Sequence, residues 1–241
     1  MSCCPTNKPG YHCDYKPKGT IREDGSYIAS SESPKFGIVA VPDIFGMVPQ
    51  NYFVADEIAK RTNSKIIFCD VFEGRPWDLK NFPPKGGTAE ILEWCDKFGT
   101  YEIVRKFTVA AVAELKAEGI TKIGGLGFCF GARRLLTAQH EGLIGPLAGA
   151  HPSFYTVEEF EKGLTAPLAL ALTKDEDKAL FDKIEPLMLS DPKFGSKNVL
   201  RWFPTQIHGF MSARGDFTNA ETIEKVEEGI KMFSDFFNNA F

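Results

Sequence analysis

The sequence predicts an α/β protein, a mostly parallel central sheet with helices on both faces, and three observations carry that expectation. Short apolar runs alternate along the chain with longer segments whose apolar residues recur at helical spacing, and such alternation demands right-handed crossovers between parallel strands. Several of the runs are continuously apolar, as in Phe36-Gly37-Ile38-Val39-Ala40-Val41. That is the mark of strands covered on both faces. Finally, 241 residues with 43% hydrophobic and 25% charged content suit one domain with a substantial core. No internal repeat divides the chain, so residues 1–241 are expected to form a single domain with residues 1–35 as a polar lead-in.

Taken in order, the lead-in is rich in Pro, Gly, Lys and Ser, and Tyr27-Ile28-Ala29 closes it as a short strand. The run 36–42 is the first buried strand and delivers Asp43-Ile44-Phe45-Gly46 to its C-terminal end. Ligands collect at that edge of open α/β sheets. Residues 49–61 carry Phe53, Val54, Ile58 and Ala59 at helical spacing, and Lys65-Ile66-Ile67-Phe68-Cys69 is the next strand. Residues 75–86, with Pro76, Pro83, Pro84 and Trp77, form a loop that is either a lid or plain packing. Helices follow at 88–97 and 101–118, the second stopped by Gly119, and then a strand at 122–128. After the following helix come strands at 145–151 and 167–173, a helix at 178–189 and a last strand, Val199-Leu200-Arg201-Trp202-Phe203. A C-terminal helix from about 219 to 240 presents Ile223, Val226, Ile230, Phe233 and Phe237 as one stripe.

Composition excludes several function classes. A net charge of −4 with scattered Lys and Arg offers no phosphate-tracking face, so nucleic acid is not expected as a partner. No apolar run reaches the roughly 18 residues of a membrane span and no signal-peptide core is visible, which points to a cytoplasmic protein without a membrane partner. Six cysteines without a regular framework fit reduced thiols. Cys3, Cys4, His12 and Cys13 cluster near the N-terminus, but no second pair at ligand spacing follows, so no metal is expected.

The chemistry is read from residues 122–134, where an apolar run stops at Cys129 between Gly127 and Gly131. Gly-x-Cys-x-Gly is the nucleophile-elbow spacing with sulfur in place of a serine hydroxyl: a strained turn lifts the nucleophile at a strand end, and Cβ atoms at the flanking positions would collide with backbone. The helix opened by Phe130-Gly131-Ala132 points its positive end at Cys129, an environment that favours a thiolate. The same stretch imitates a dinucleotide turn through Gly125, Gly127 and Gly131, but Phe130 stands where the strict fingerprint has glycine. Later strands end in Lys174-Asp175-Glu176-Asp177 and in His208-Gly209-Phe210. Nucleophile, acid, histidine is the order of the α/β-hydrolase fold, with Cys129 as nucleophile, His208 as base and an acid among Asp175, Glu176 and Asp177. His151 lies at another strand end, where it could line the site.

These residues resemble the dienelactone hydrolases, or carboxymethylenebutenolidases. The likeness rests on Asp43-Ile44-Phe45-Gly46, Gly127-Phe128-Cys129-Phe130-Gly131-Ala132, Ala150-His151-Pro152-Ser153-Phe154 and His208-Gly209-Phe210, with Cys3-Cys4-Pro5 similar to the eukaryotic branch. The resemblance implies a Cys-His-Asp triad acting on ester or lactone bonds of small molecules, thioesters included, without metal or organic cofactor, in a monomer or weak homodimer. It makes the backbone N–H groups of Ile44 and Phe130 the oxyanion hole. It sets Asp43 where bacterial relatives have a glutamate contacting the thiol, one methylene longer. An ungapped count makes Glu176 the triad acid, and one extra turn residue makes it Asp177, which is preferred because Ala179-Leu180-Phe181 then falls on the family's apolar stretch; Asp175 is third. Of Arg75, Arg134 and Arg214, the last is the best candidate to hold a substrate carboxylate. Two other readings compete, a catalytically faded scaffold acting as a binding protein and a nucleotide-dependent reductase using the glycine pattern.

Overall fold

The computed structural model describes residues 13–241. Its elements are β1 (Thr20–Ile21), β2 (Tyr27–Ser30), β3 (Gly37–Val41), α1 (Pro49–Thr62), β4 (Lys65–Phe68), α2 (Thr88–Phe98), α3 (Tyr101–Ala117) and β5 (Ile123–Phe128). There follow α4 (Phe130–His140), β6 (Leu147–Ala150), α5 (Val157–Glu161), β7 (Leu168–Thr173), α6 (Lys178–Leu189), β8 (Val199–Phe203) and α7 (Ala220–Ala240). The eight strands form one sheet in the order β1-β2-β4-β3-β5-β6-β7-β8. Strands β3 to β8 run parallel, while β2 is antiparallel to β4 and to β1.

The continuous apolar runs are covered on both sides, as expected. In β3, Val39 and Val41 join one core cluster while Ile38 and Ala40 join the other. In β7, Leu168, Leu170 and Leu172 face one cluster, and Ala169 and Ala171 the other. Period-two alternation therefore feeds two cores from a single strand. One core takes Leu115 of α3, Leu135 and Leu136 of α4 and Ile184 of α6. The opposite core takes Val54 and Ile58 of α1 with Val226, Ile230, Phe233 and Phe237, the stripe expected of α7. Each such fully buried aliphatic or aromatic side chain contributes about 1.5–3 kcal/mol relative to exposure.

Two features depart from the sequence reading. The lead-in adds a second strand, β1, to the expected one at Tyr27-Ile28-Ala29, because Gly25 adopts φ 80° and turns β1 back onto β2. That hairpin is tied to α1 through Asp56, which accepts from the Tyr27 hydroxyl at 2.6 Å, the Tyr15 hydroxyl at 2.7 Å and the Lys18 N–H at 3.0 Å. The short helix α5 has too few residues for a period to be legible, and it is fixed by a capping box between Thr156 and Glu159. Cys3, Cys4 and His12, with the Cys3-Cys4-Pro5 opening, lie outside the described residues. No helix among the described residues is long and apolar enough to cross a membrane.

Candidate active site

Strand register gathers the chemistry at one edge. Val41 pairs with Gly127, Phe128 with Ala150, Ala150 with Ala171 and Thr173 with Phe203. The loops that follow those strands are therefore neighbours. They carry Asp43 to Gly46, Cys129, His151 to Phe154, Asp175 to Asp177 and His208 to Arg214.

Cys129 has φ 56° and ψ −123°, a strained backbone for a residue with a Cβ, and α4 begins immediately after it. The flanking glycines follow from close approach. A Cβ on Gly127 would lie 2.4 Å from the Ala132 Cα, and one on Gly131 would lie 2.8 Å from the carbonyl oxygens of Val41 and Pro42. Both glycines thus have packing reasons that require no nucleotide. The Cys129 thiol is 7% exposed and its sulfur lies 3.3 Å from the Ser153 hydroxyl.

His208 is held from two sides by the loop after β7. Its ring Nδ1 is 2.7 Å from Glu176 Oε1, and its backbone N–H donates to Asp175 Oδ2 at 2.9 Å. The other Glu176 oxygen accepts from the Thr173 backbone N–H, so this carboxylate is fixed at both ends and its side chain is only 3% exposed. The preferred sequence candidate, Asp177, is not brought to the histidine. It is exposed, and its Oδ1 accepts from Leu180 N–H at 3.1 Å as the N-cap of α6. An aspartate is a strong N-cap and satisfies a helix-end donor there, whereas the longer glutamate reaches inward. The ungapped count therefore gives the residue the structure pairs with His208, and Asp175 holds its backbone.

Asp43 is buried beside this cluster. Its Oδ1 accepts from the Phe45 N–H at 2.9 Å, and burial raises its carboxyl pKa against the opposing effects of Ser212, of that N–H and of His208. It organises the loop after β3, where a polar network continues: Ser212 donates to Asn51 Oδ1 at 2.6 Å, and Asn51 Nδ2 donates to the Gly46 carbonyl at 3.0 Å. Ile44 is 3% exposed and its carbonyl accepts from Trp77 N–H at 2.8 Å, while Phe130 begins α4 at 1% exposure. Their N–H groups thus sit on the adjacent ends of β3 and β5.

His151 does not line the site as its strand-end position suggested. It is 0% exposed and packs beneath His208, with ring centroids 5.0 Å apart and the planes at 66°. Neither of its ring nitrogens has a hydrogen-bond partner among the described residues. Burial, and then the charge of His208, hold its pKa well below the usual histidine value. Its ring also packs against Phe128 and Phe210, and Arg214 lowers its pKa further.

Of the three candidate arginines, only Arg214 reaches this cluster. Arg75 is exposed and pairs with Glu73 at 3.0 Å, and Arg134 donates to the Gly99 carbonyl at 2.9 Å. The Arg214 guanidinium is 5.3 Å from the Phe82 ring centroid, a cation–π contact with the 75–86 loop. Phe82 in turn packs edge-on against Phe45 at 5.5 Å, and Trp77 against Trp94 at 5.7 Å. That loop therefore covers the cluster. A cavity of ≈ 20 Å³ is lined by Cys129, His208, Arg214, Asp43, Phe45 and Ile91, among others. A second, of ≈ 40 Å³, shares His208 and Phe154 with it and is also lined by Ser153 and Glu176. Phe82 was not singled out from sequence, and Ser153 stood there only as part of the Ala150-His151-Pro152-Ser153-Phe154 segment, with no role. Ser153 was within reach of it, since it stands in the segment after a strand that neighbours the elbow strand. No group of side chains suited to a metal ion occurs among the described residues.

Comparison with known proteins follows the same lines. The model of the dienelactone hydrolase family matches residues 25–241. An uncharacterized AIM2 family protein of Schizosaccharomyces pombe is 29% identical, over 99% of this chain and 98% of its own. A carboxymethylenebutenolidase homolog of Xenopus tropicalis is 25% identical, over 95% of this chain and 93% of its own. Among solved structures, a dienelactone hydrolase-like promiscuous phosphotriesterase from metagenomic libraries superposes with a TM-score of 0.65 at 15% identity, covering 90% of this chain and 92% of its own, which bears on the fold alone.

Proposed function

The chain belongs to the dienelactone hydrolase family and is a hydrolase of the ester and lactone class with an α/β-hydrolase fold, and from that premise we propose that it cleaves small ester or lactone substrates through a Cys129–His208–Glu176 triad. The observation that carries this reading is the Glu176 Oε1 to His208 Nδ1 contact of 2.7 Å, with the same histidine lining one cavity with Cys129. A carboxylate on Nδ1 fixes the tautomer with the proton there and leaves Nε2 free to accept. His208 takes the thiol proton through Nε2 as the sulfur attacks the substrate carbonyl carbon. The carbonyl oxygen takes up the negative charge, stabilised by the N–H groups of Ile44 and Phe130. Collapse expels the alkoxide, which receives the proton from His208, and leaves a thioester on Cys129. Water, deprotonated by His208, then adds to that thioester and releases the acid, and the thiolate recovers the proton.

Arg214 lines the cavity that holds Cys129 and His208, which supports a substrate with a carboxylate on its acyl part. Cavities of ≈ 20 and ≈ 40 Å³ hold little more than water, and Ile91 and Phe154 line the one that holds Cys129 and His208. The test is turnover of p-nitrophenyl acetate and of a panel of small lactones and thioesters, with Cys129→Ala as control and mass mapping after limiting iodoacetamide. The reading expects alkylation of Cys129 to abolish activity. Activity lost while Cys129 stays unmodified contradicts it, as does a Cys129→Ala protein that keeps its turnover.

A further inference from the structure

We infer that Ser153 is a further catalytic residue, whose hydroxyl donates a hydrogen bond to the Cys129 sulfur and stabilises the thiolate as it forms. This rests on the reading of Cys129 as nucleophile. The two atoms are 3.3 Å apart, and both residues are buried, at 7% and 3% exposure. Backbone bonds fix their separation. The Ser153 N–H donates to the Cys129 carbonyl, the Cys129 N–H donates to the Ala150 carbonyl, both at 3.1 Å, and the His151 N–H donates to the Ala171 carbonyl at 2.7 Å. The turn between Ala150 and Tyr155 holds two non-glycine residues at positive φ, His151 at 38° and Phe154 at 65°. Positive φ is uncommon for residues with a Cβ, and such strain persists only where the surroundings over-determine the backbone. Here the strained turn delivers one hydroxyl to one sulfur.

The direction of the bond changes with the proton. While sulfur carries its hydrogen either atom can donate, and neither direction matters much. Once the proton has moved to His208, sulfur offers only lone pairs, and of the two groups the hydroxyl alone can donate. A hydrogen bond to an ionised acceptor is roughly twice as strong as a neutral one, so the contact tightens as charge develops on sulfur. It is thereby worth more along the reaction path than at rest, and it stands ready before substrate arrives. The bland alternative is that Ser153 only fills space beneath the elbow, in which case removing its oxygen alters packing and leaves the pH dependence alone.

The test follows the rate at which iodoacetamide alkylates Cys129 from about pH 6 to about pH 10, with kcat/KM for p-nitrophenyl acetate and thermal stability measured alongside. In alkylation the sulfur–carbon bond forms and iodide leaves, so the rate reports the thiolate. For Ser153→Ala the expected result is alkylation about tenfold slower at pH 7, converging with the unsubstituted protein near pH 10, and kcat/KM about tenfold lower at pH 7. Ser153→Thr keeps the hydroxyl and is expected to follow the unsubstituted pH dependence. The inference is overturned if Ser153→Ala follows the unsubstituted pH dependence, or if Ser153→Thr follows that of Ser153→Ala. Cys129→Ala separates the two levels. If it keeps esterase activity the nucleophile assignment fails, whereas an inactive Cys129→Ala beside an unchanged Ser153→Ala profile removes the Ser153 inference alone.

Discussion

Replacing Glu176 by Gln keeps the side chain's size and one oxygen but removes the charge opposite His208. The carboxylate meets Nδ1 at 2.7 Å with both side chains at most 8% exposed, so little solvent screens the pair. In the proposed mechanism His208 carries the thiol proton, and the pair is then ionic. At an effective dielectric near 20, unit charges about 4 Å apart attract by about 4 kcal/mol. At about 1.4 kcal/mol per decade, losing most of that costs roughly 10³-fold in rate. The serine-protease precedent of about 10⁴-fold sets the upper bound. Because a thiol depends less on its base than a hydroxyl does, about 10²-fold is the lower bound. We therefore expect Glu176→Gln to lower kcat/KM for p-nitrophenyl acetate by 10²- to 10⁴-fold, within the range those principles give. Asp175→Asn keeps an acceptor for the His208 N–H and should stay within a few fold. Asp177→Ala should leave activity within a few fold but, by removing an N-cap of about 1 kcal/mol, lower Tm by about 2–4 °C. A folded Glu176→Gln enzyme with full activity refutes the reasoning, and an Asp177 variant that loses activity without losing stability returns the acid to position 177.

His151 makes stability depend on pH with a definite sign. Its folded pKa lies below the ordinary 6.5, so the unfolded chain binds a proton the folded chain refuses, and stability falls as pH drops below about 6.5. The slope reaches at most about 1.4 kcal/mol per pH unit, or about 2–4 °C of Tm per kcal/mol in a chain of this length. His151→Asn, which tolerates positive φ, should flatten that acid limb in thermal melts from pH 7 to pH 5, and an unchanged slope contradicts the burial argument. Asp43 has the opposite sign, because burial raises its pKa and its contribution is lost as pH rises through the folded value. Ile44→Pro removes a backbone donor and should cost on the order of 10²-fold or more in kcat, while Ile44→Val keeps most activity; a fully active, folded Ile44→Pro enzyme puts the oxyanion donor elsewhere. Arg214→Gln should raise KM at least tenfold for an ester bearing a carboxylate, yet leave a neutral ester within a few fold. Equal losses on both esters would mean that Arg214 acts through the Phe82 contact and not through substrate.

The strands were legible because both faces of β3, β5 and β7 are buried, which leaves a continuous apolar signature that needs no partner information. The elbow was legible because Gly127 and Gly131 answer close backbone approaches that any residue with a Cβ would violate. Choosing among three consecutive acids was a different problem. Asp175, Glu176 and Asp177 are chemically alike, and which one reaches His208 depends on side-chain length and on where α6 starts. Asp177 went to the helix cap, a local demand that competed with the placement the family resemblance implied. The backbone conformation at His151 explains its misplacement. Its strand end does point at the site edge, but the positive φ turns its ring under His208 and out of the cavity. The hairpin of β1 and β2 escaped because β1 has two residues, both exposed, and so no pattern to read.

The most direct measurement is to quench the protein with acid during p-nitrophenyl acetate turnover and to map the acetyl group by peptide mass. The account predicts one acetyl group on the peptide carrying Cys129, removed by hydroxylamine as a thioester is, accumulating further in Glu176→Gln if deacylation is slowed the more, and absent from Cys129→Ala. An acetyl group on Ser153 or any residue other than Cys129, formed and released at the rate of turnover, would contradict it.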